Sequence, residues 1–190
     1  MFIIKKQYFL IIESIKEIDL KNIKIKNKFS IIYRNLKTVD KLEDLSKFRK
    51  VCKLKSIKFF VANNYKLAIN LKSDGIYLSS HNRSLKPLSF KRSNFKVIGS
   101  AHNFREISMK INQGCNHILF SKLFLVEYDK LSPFLGVIKF NNFLKLYKSL
   151  IPLGGINLNN LSHLKNINSK GFAVLSAIKK KPANIINRLF

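Results

Sequence analysis

The sequence predicts a (β/α)8 barrel, and three features carry that prediction. Short runs rich in β-branched and aromatic residues recur eight times along the 190 residues. Most of these runs are almost continuously apolar, which is typical of parallel strands covered on both faces. Segments with helical spacing lie between them, and this alternation favours a closed parallel barrel. The eight predicted strands are 7–12, 29–34, 57–63, 75–80, 95–101, 117–124, 150–155 and 171–177.

The connecting helices are predicted from apolar spacing and from capping residues. In 39–52 the apolar residues recur at intervals of three, and similar stripes begin after Asn103 and after Asn157. Both asparagines suit the N-cap position, because the side-chain carbonyl accepts hydrogen bonds from the free N–H groups of the first turn. We expect a last helix at 183–189.

The length of the chain requires a trimmed version of this fold. Barrels of this type usually have ~200 to more than 400 residues. The crossover at 13–28 is barely longer than the ~10–12 residues that such a connection needs. The segment 81–94 is polar and basic, which predicts a loop or a poor helix. We therefore expect a single domain over 1–190 with a shortened first crossover.

The charge of the chain is strongly positive, with 36 Lys and Arg against 10 Asp and Glu and a net charge of +26. This charge suits a nucleic acid, an anionic membrane surface or a phosphorylated small molecule. However, 30 of the 36 cations are scattered lysines, whereas nucleic-acid binders more often cluster arginine among aromatic residues. Lys, Asn, Ile and Phe are also the residues that A/T-rich codons supply. We interpret most of the charge as codon bias and do not expect nucleic acid as the partner.

Cysteine content and hydropathy exclude several classes of protein. The two cysteines, Cys52 and Cys115, are too few for a disulfide framework or a Cys-based zinc cluster. No His, Cys or acidic cluster has metal-ligand spacing. The uninterrupted apolar run at 8–12 is short for a signal peptide, and no stretch approaches the ~18 apolar residues of a membrane span. We expect a cytoplasmic protein with reduced thiols and no membrane partner.

A phosphate site is predicted after strands seven and eight, at the carboxyl ends where barrels of this type place their active sites. Gly154 and Gly155 follow strand seven and allow backbone N–H groups to approach an anion closely. The helix start at Asn157 adds a favourable dipole. Ser176, after strand eight, can donate its hydroxyl. The alternative is that the two glycines only turn a corner.

A proton-transfer residue is predicted after strand five. Ser100 and His102 are two positions apart and therefore share one side of the strand. Histidine side chains exchange protons near neutral pH, so His102 is the candidate catalytic residue. The alternative is a capping or structural histidine. Arg34 and Lys122 end strands two and six, where each either faces an anion or is an ordinary surface cation.

In their order and spacing, these segments resemble the thiamine-phosphate synthase/TenI family of barrels. The resemblance extends from strand two to residue 178 and is carried by residues 60–80, 98–107, 111–124, 133–136, 153–161 and 171–178. It implies a role in thiamin biosynthesis. The synthase branch joins a pyrimidine diphosphate to a thiazole phosphate and releases pyrophosphate with magnesium. The TenI branch includes a thiazole tautomerase that uses a histidine for proton transfer.

The part of the family pattern that the resemblance assigns to the thiazole phosphate is kept. The Ser-x-His pattern is present as Ser100 and His102, and the glycine pair as Gly154 and Gly155. The Ser-Ala pair after strand eight is present at 176–177.

The part of the pattern that the resemblance assigns to pyrophosphate and metal is largely replaced. Of a Gln-x-Arg-x-Lys pattern only Arg34 remains. Asn63 and Asn82 stand where the family has the two acids that would hold magnesium, and Ser80 stands where it has Gln. Asn is a poor substitute for a carboxylate on a hard dication. Lys122 lies in place of a Gly-Pro and Thr-rich loop.

We therefore expect a protein that binds a thiazole phosphate or thiamin phosphate and performs TenI-like proton transfer without a metal. The expected phosphate-binding residues are Gly154, Gly155, Ser176 and Ala177. The expected substrate-binding residues are Arg34, Asn63, Ser80, Asn82, Ser100 and Lys122. One alternative is an active synthase with an altered magnesium site. Another is a non-catalytic protein that binds a phosphorylated ligand or nucleic acid. The oligomeric state stays open, a homodimer included.

Overall fold

The computed structural model describes residues 7–20, 29–35, 40–90, 94–126, 129 and 131–175. Eight parallel strands follow one another around a single sheet in the order β7-β6-β5-β4-β3-β2-β1-β8. A bridge between Leu153 and Ala173 joins the two ends of this order, so the sheet forms a nearly closed barrel. The predicted fold class is confirmed. The strands are β1 Gln7–Ile12, β2 Phe29–Tyr33, β3 Lys58–Ala62, β4 Gly75–Leu78, β5 Lys96–Ala101, β6 His117–Phe120, β7 Leu150–Pro152 and β8 Gly171–Val174.

Two apolar cores explain the continuous apolar runs of the sequence. In β1, Phe9 and Ile11 belong to a cluster inside the barrel, while Leu10 and Ile12 pack in the layer between the barrel and its helices. Successive side chains of a strand point to opposite faces. A strand buried on both faces therefore has no polar position to alternate with.

Four α-helices lie in the described part of the chain. They are α1 Leu42–Leu54, α2 Tyr65–Asn70, α3 Phe104–Asn112 and α4 Gly136–Leu146. The N-cap predicted at Asn103 is confirmed, because its side chain accepts a hydrogen bond from the N–H of Glu106. Asn157 also caps a helix, but Leu158–Asn166 is a 3-10 helix. Apolar spacing did not identify α2 or α4.

The first crossover is short, as predicted. Its described part contains one 3-10 turn, Ile15–Glu17, and residues 21–28 lie outside the described residues. The Asp40 carboxylate accepts hydrogen bonds from the Ser14 hydroxyl at 2.8 Å and from the Ile15 N–H at 3.2 Å. These bonds tie the short crossover to the segment that leads into α1.

Two further sequence predictions concern the polar segment 81–94 and the last helix. In the polar segment 81–94, the described residues 81–90 and 94 contain a 3-10 helix, Lys86–Phe90. The helix predicted at 183–189 lies outside the described residues. Within the described ranges, no helix combines the length and the apolar character needed to cross a membrane.

The later strands end earlier than their apolar runs predicted. β6 ends at Phe120 and β7 at Pro152. Beyond these points the N–H groups of Leu123 and Phe124 donate to the carbonyls of Leu153 and Gly154 at 2.9 and 3.1 Å. The apolar residues after β6 therefore belong to a loop that is held against the loop after β7.

Candidate functional site

A cavity of about 460 Å³ opens at the carboxyl ends of the strands. Eight of the predicted site residues line it: Arg34, Asn63, Ser80, Ser100, His102, Lys122, Gly154 and Gly155. Asn82 does not line the cavity, but its side-chain amide donates a hydrogen bond to the side chain of Asn63. The predicted phosphate-binding residues Ser176 and Ala177 lie outside the described residues.

His102 is paired with a carboxylate at the start of α3. Its ring Nδ1 lies 3.1 Å from Glu106 Oε2, and its backbone N–H donates to the same oxygen at 2.7 Å. The Asn103 side chain donates to the other carboxylate oxygen at 3.1 Å. Burial alone would raise the pKa of Glu106, but the hydrogen bonds from His102 and Asn103 hold it below its ordinary value. The side chain of His102 is 50% exposed and borders the cavity.

Glu106 is a site residue that we did not predict from the sequence. Two signals for it were present. It lies in the first turn of α3, just after His102 and the N-cap Asn103, where its side chain can reach back to the residues that precede the helix. It also completes the Asn-x-x-Glu pattern of a capping box with Asn103. A carboxylate on Nδ1 selects the tautomer in which Nε2 carries the lone pair, which is the form a general base needs.

Asn63 and Asn82 are hydrogen-bonded to each other. Asn63 adopts a left-handed backbone conformation with φ of 56°, which asparagine tolerates better than most residues. Its Oδ1 accepts from the Asn82 Nδ2 at 3.0 Å and from the Ser79 N–H at 3.0 Å, while its Nδ2 donates to the Ser79 hydroxyl at 3.1 Å. The amide oxygen of Asn63 therefore already accepts two hydrogen bonds.

The same pair tests whether magnesium fits this site. Magnesium prefers carboxylate and water oxygens in an octahedral arrangement. Here both residues are neutral amides, and the Asn63 oxygen is engaged by Asn82 and Ser79. Among the residues that the structure describes, no group of three or more His, Cys, Asp or Glu could hold a metal ion. The described residues of this site therefore do not fit magnesium.

A buried lysine holds the loop that carries Asn82. Lys110 of α3 is fully buried, and its ammonium donates to the Asn82 carbonyl at 2.7 Å and to Gln113 Oε1 at 2.9 Å. The Gln113 amide donates to the carbonyls of Asn82 and Ser84 at 3.0 and 2.8 Å. Burial lowers the pKa of Lys110, and nearby Glu106 partly opposes this effect. No sequence pattern that we used identified this clamp.

Gly99 makes room for the buried lysine. A Cβ at this position of β5 would lie 2.8 Å from the Cδ of Lys110. The glycine therefore allows the lysine side chain to cross the strand and reach the loop after β4. The Lys110–Gln113 pair depends on this packing. It holds the backbone of the loop that carries Asn82, the hydrogen-bond partner of Asn63.

Two cations border the cavity at opposite sides. Arg34 lies 3.8 Å from Glu13, and its Nε is buried without a hydrogen-bond partner among the described residues. Lys122 forms an ion pair with Asp129, in the loop after β6. Hydrogen bonds from Lys122 and from Ser132 lower the pKa of Asp129. Both cations are thus placed where an anionic ligand would meet them.

Tyr77 lies at the bottom of the cavity, between Arg34 and Ser100. Its side chain is almost completely buried. Burial raises the pKa of its hydroxyl, while the Ser100 hydroxyl and the Arg34 guanidinium act in the opposite direction. The tyrosine was not among the predicted site residues, because an apolar strand position gave no sign of its hydroxyl.

The glycine pair forms the tight turn between β7 and the following 3-10 helix. Gly154 and Gly155 have φ of +97° and +68°, in the left-handed region that favours glycine. A Cβ on Gly155 would lie 2.4 Å from the Leu125 carbonyl oxygen. The Asn160 side chain donates to the Gly155 carbonyl at 2.7 Å. The turn borders the cavity through residues 154–156, while the N–H groups of Asn157 and Asn159 at the helix start donate to the side chains of Asn160 and Asn157.

Comparisons with known proteins agree with this architecture. The family model described as thiamine monophosphate synthase matches residues 4–178. A thiamine-phosphate synthase of Prochlorococcus marinus (strain AS9601) is 30% identical over 186 residues, which cover 94% of this chain and 50% of that protein. One of Clostridioides difficile (strain 630) is 26% identical over 143 residues, covering 73% of this chain and 67% of that protein.

A solved structure supports the fold independently. The thiamine phosphate pyrophosphorylase from Pyrococcus furiosus superposes with a TM-score of 0.68 at 17% identity, covering 96% of this chain and 97% of that chain. The chain spans about half the length of the Prochlorococcus relatives that it matches.

Proposed function

Because the chain belongs to the thiamine monophosphate synthase family, we propose that its cavity binds a thiazole phosphate or thiamin phosphate without magnesium. In this proposal His102 moves a proton on the bound ligand, as in a thiazole tautomerase. The observation that carries it is the contrast between the two sides of the cavity. The His102–Glu106 pair is arranged for proton transfer, whereas an amide pair stands at Asn63 and Asn82, where acids would be needed for metal.

The phosphate group is held at the glycine turn. At Gly155 the carbonyl oxygens of Leu125 and Phe124 occupy the space that a Cβ would need, so only glycine fits, and the turn places the backbone of residues 154–155 at the edge of the cavity. Lys122 supplies a positive charge nearby, as a point charge rather than a fixed fork. Its ion pair with Asp129 must open or shift when the ligand arrives. The carboxylate of Asp129 therefore competes with the phosphate for the same ammonium.

The proton is moved by Nε2 of His102. Glu106 accepts from Nδ1, so the Nε2 lone pair is available to take a proton from a carbon of the ligand. The protonated imidazole then returns the proton to a second carbon. One C–H bond breaks and another forms, so no oxidant, metal or leaving group is needed. Glu106 stabilises the imidazolium in between and acts as a positioning residue.

The heterocycle lies against the polar wall of the cavity. Ser100, Tyr77 and Arg34 meet at its base, and the Arg34 side chain lines the cavity there. A guanidinium also suits a carboxylate or phosphate oxygen. Ser80 and the Asn63 amide close the neighbouring side.

A second candidate function is thiamine-phosphate synthesis with an altered metal site. The observation that favours it is the name of the relatives, which are thiamine-phosphate synthases. In this case the chain joins a pyrimidine diphosphate to a thiazole phosphate and releases pyrophosphate. It then requires magnesium, and the changes Asn63→Asp and Asn82→Asp raise its activity.

Calorimetric titration with thiazole phosphate tests the proposal, once in EDTA and once in excess magnesium. We expect the same affinity in both buffers and weaker binding by Lys122→Gln. The matched control is Lys139→Gln, which removes an exposed lysine of α4 outside the cavity lining. Absence of binding at millimolar ligand, or binding only with magnesium, contradicts the proposal. Pyrophosphate release in a coupled assay supports the synthase instead.

A further inference from the structure

The opposite, N-terminal mouth of the barrel gathers cationic side chains. The strands β3, β5 and β6 begin with Lys58, Lys96 and His117. Each stands two positions before a residue of the cluster inside the barrel, and side chains alternate along a strand. All three therefore face the barrel axis at the mouth. Lys170 directly precedes the first residue of β8.

Of these side chains, His117 reaches furthest into the interior of the barrel. Its ring packs against Phe9 of the interior cluster, with centroids 6.0 Å apart. Its Nδ1 is buried and has no hydrogen-bond partner among the described residues. The ring is half-buried, Lys96 is half-buried and Lys58 is exposed, so the polar groups extend from the interior to solvent.

The lysines act on the imidazole together. Burial lowers the pKa of His117 to about 4, and the charges of Lys170, Lys96 and Lys58 contribute to this shift. The imidazole is therefore neutral at pH 7, and one of its nitrogens carries a proton that it can donate. The carboxylate of Asp74, next to the start of β4, pairs with Arg49 at 3.1 Å and accepts a hydrogen bond from the Phe59 N–H at 2.7 Å.

The mouth is also free of side chains at two of its strands. Gly75 and Gly171 are the first residues of β4 and β8. A Cβ on Gly75 would lie 1.9 Å from the Lys96 carbonyl oxygen, and one on Gly171 would lie 1.5 Å from the Gln7 carbonyl oxygen. Neighbouring strands therefore pack directly against these two glycines, which makes the opening narrow and leaves no side chain on these two strands between it and the cationic groups.

We propose that this mouth is a second anion-binding site, which takes a small, multiply charged phosphate-bearing anion between Lys58, Lys96, Lys170 and His117. Several lysines around a small opening favour a compact polyanion, since each acts as a point charge and does not require a planar partner. The His117 imidazole donates to a phosphate oxygen at the inner end. The site is independent of the proposed function, because it lies at the opposite end of the barrel.

NMR titration with pyrophosphate tests this inference at constant ionic strength, with sulfate as a second anion and the His117 ring proton as reporter. We expect a saturable shift of the His117 signal, while Lys58→Gln and Lys96→Gln each weaken binding about 2- to 5-fold. The control Lys139→Gln removes one exposed lysine from α4 and leaves the affinity unchanged. Binding also raises the apparent pKa of His117, because an anion stabilises the imidazolium.

Three outcomes would overturn the inference. The shift of the His117 signal is absent, or it follows ionic strength without saturation. The two lysine substitutions at the mouth weaken binding no more than Lys139→Gln does. A DNA duplex, but not pyrophosphate, displaces the His117 signal, in which case the partner is a nucleic acid. Far-UV circular dichroism of each variant establishes that it is folded.

Discussion

Acidification below neutral pH should destabilise the protein through His117. The pKa of this histidine is about 4 in the folded chain, because the ring is buried and three lysine charges act on it. In the unfolded chain it returns to about 6.5. Between these values the unfolded state binds more protons, so stability rises with pH and is lost as pH falls from about 6.5 toward 4.

The magnitude follows from the two pKa values. At pH 5 the difference between an unfolded pKa of 6.5 and a folded pKa of about 4 corresponds to about 2 kcal/mol. The ring is only half-buried, and solvent screens part of the lysine charge. We therefore expect a loss of about 1 kcal/mol between pH 7 and pH 5.

Urea unfolding at a series of pH values measures this loss. The comparison is between the chain and His117→Gln, because the variant keeps a polar side chain but cannot titrate. The difference in the free energy of unfolding between the two should change by about 1 kcal/mol from pH 7 to pH 5. The reasoning would be refuted if both proteins showed the same pH dependence. It would also be refuted if the protein with His117 became more stable on acidification than the variant.

Four other substitutions have expected outcomes. Gly155→Ala places a Cβ 2.4 Å from a carbonyl oxygen at φ of +68°, and urea unfolding should show a loss of about 2–3 kcal/mol. Gly136→Ala has the same φ but nothing within 4 Å, so it should lose only about 1 kcal/mol. Burial lowers the pKa of Lys110 below its ordinary value of 10.5, so stability should rise as the pH increases toward that value, and Lys110→Met should remove that rise. Asp129→Asn removes the carboxylate that competes for Lys122, so thiazole phosphate should bind about 2- to 5-fold more tightly in calorimetry.

The strands could be predicted because burial on both faces leaves a continuous apolar signal. The same signal misplaced their ends, since Leu123 and Phe124 are apolar residues of a loop. It also missed α4, where exposed Ile138 and Leu146 interrupt the expected polar face. Apolar spacing indicates which segments are buried, and does not by itself separate a strand end from an apolar loop.

Much of the site could be predicted from the position of residues after each strand. His102, Arg34 and the glycine pair border the cavity as expected. The residues that support them were not predicted, because their partners are distant in sequence. Lys110 reaches the carbonyl of Asn82, 28 positions away, through a gap left by a glycine. Such a contact depends on packing, which no local pattern encodes.

The rate of thiazole phosphate tautomerisation in EDTA tests the central claim most directly. The proposed reaction moves a proton between two carbons of the ligand, and the two tautomers can be told apart by NMR. We expect turnover without magnesium, a loss of about 10²- to 10⁴-fold in His102→Ala, and a smaller loss in Glu106→Gln. Both variants should bind the product with nearly unchanged affinity. Turnover that requires magnesium, or that survives in His102→Ala, would contradict the account.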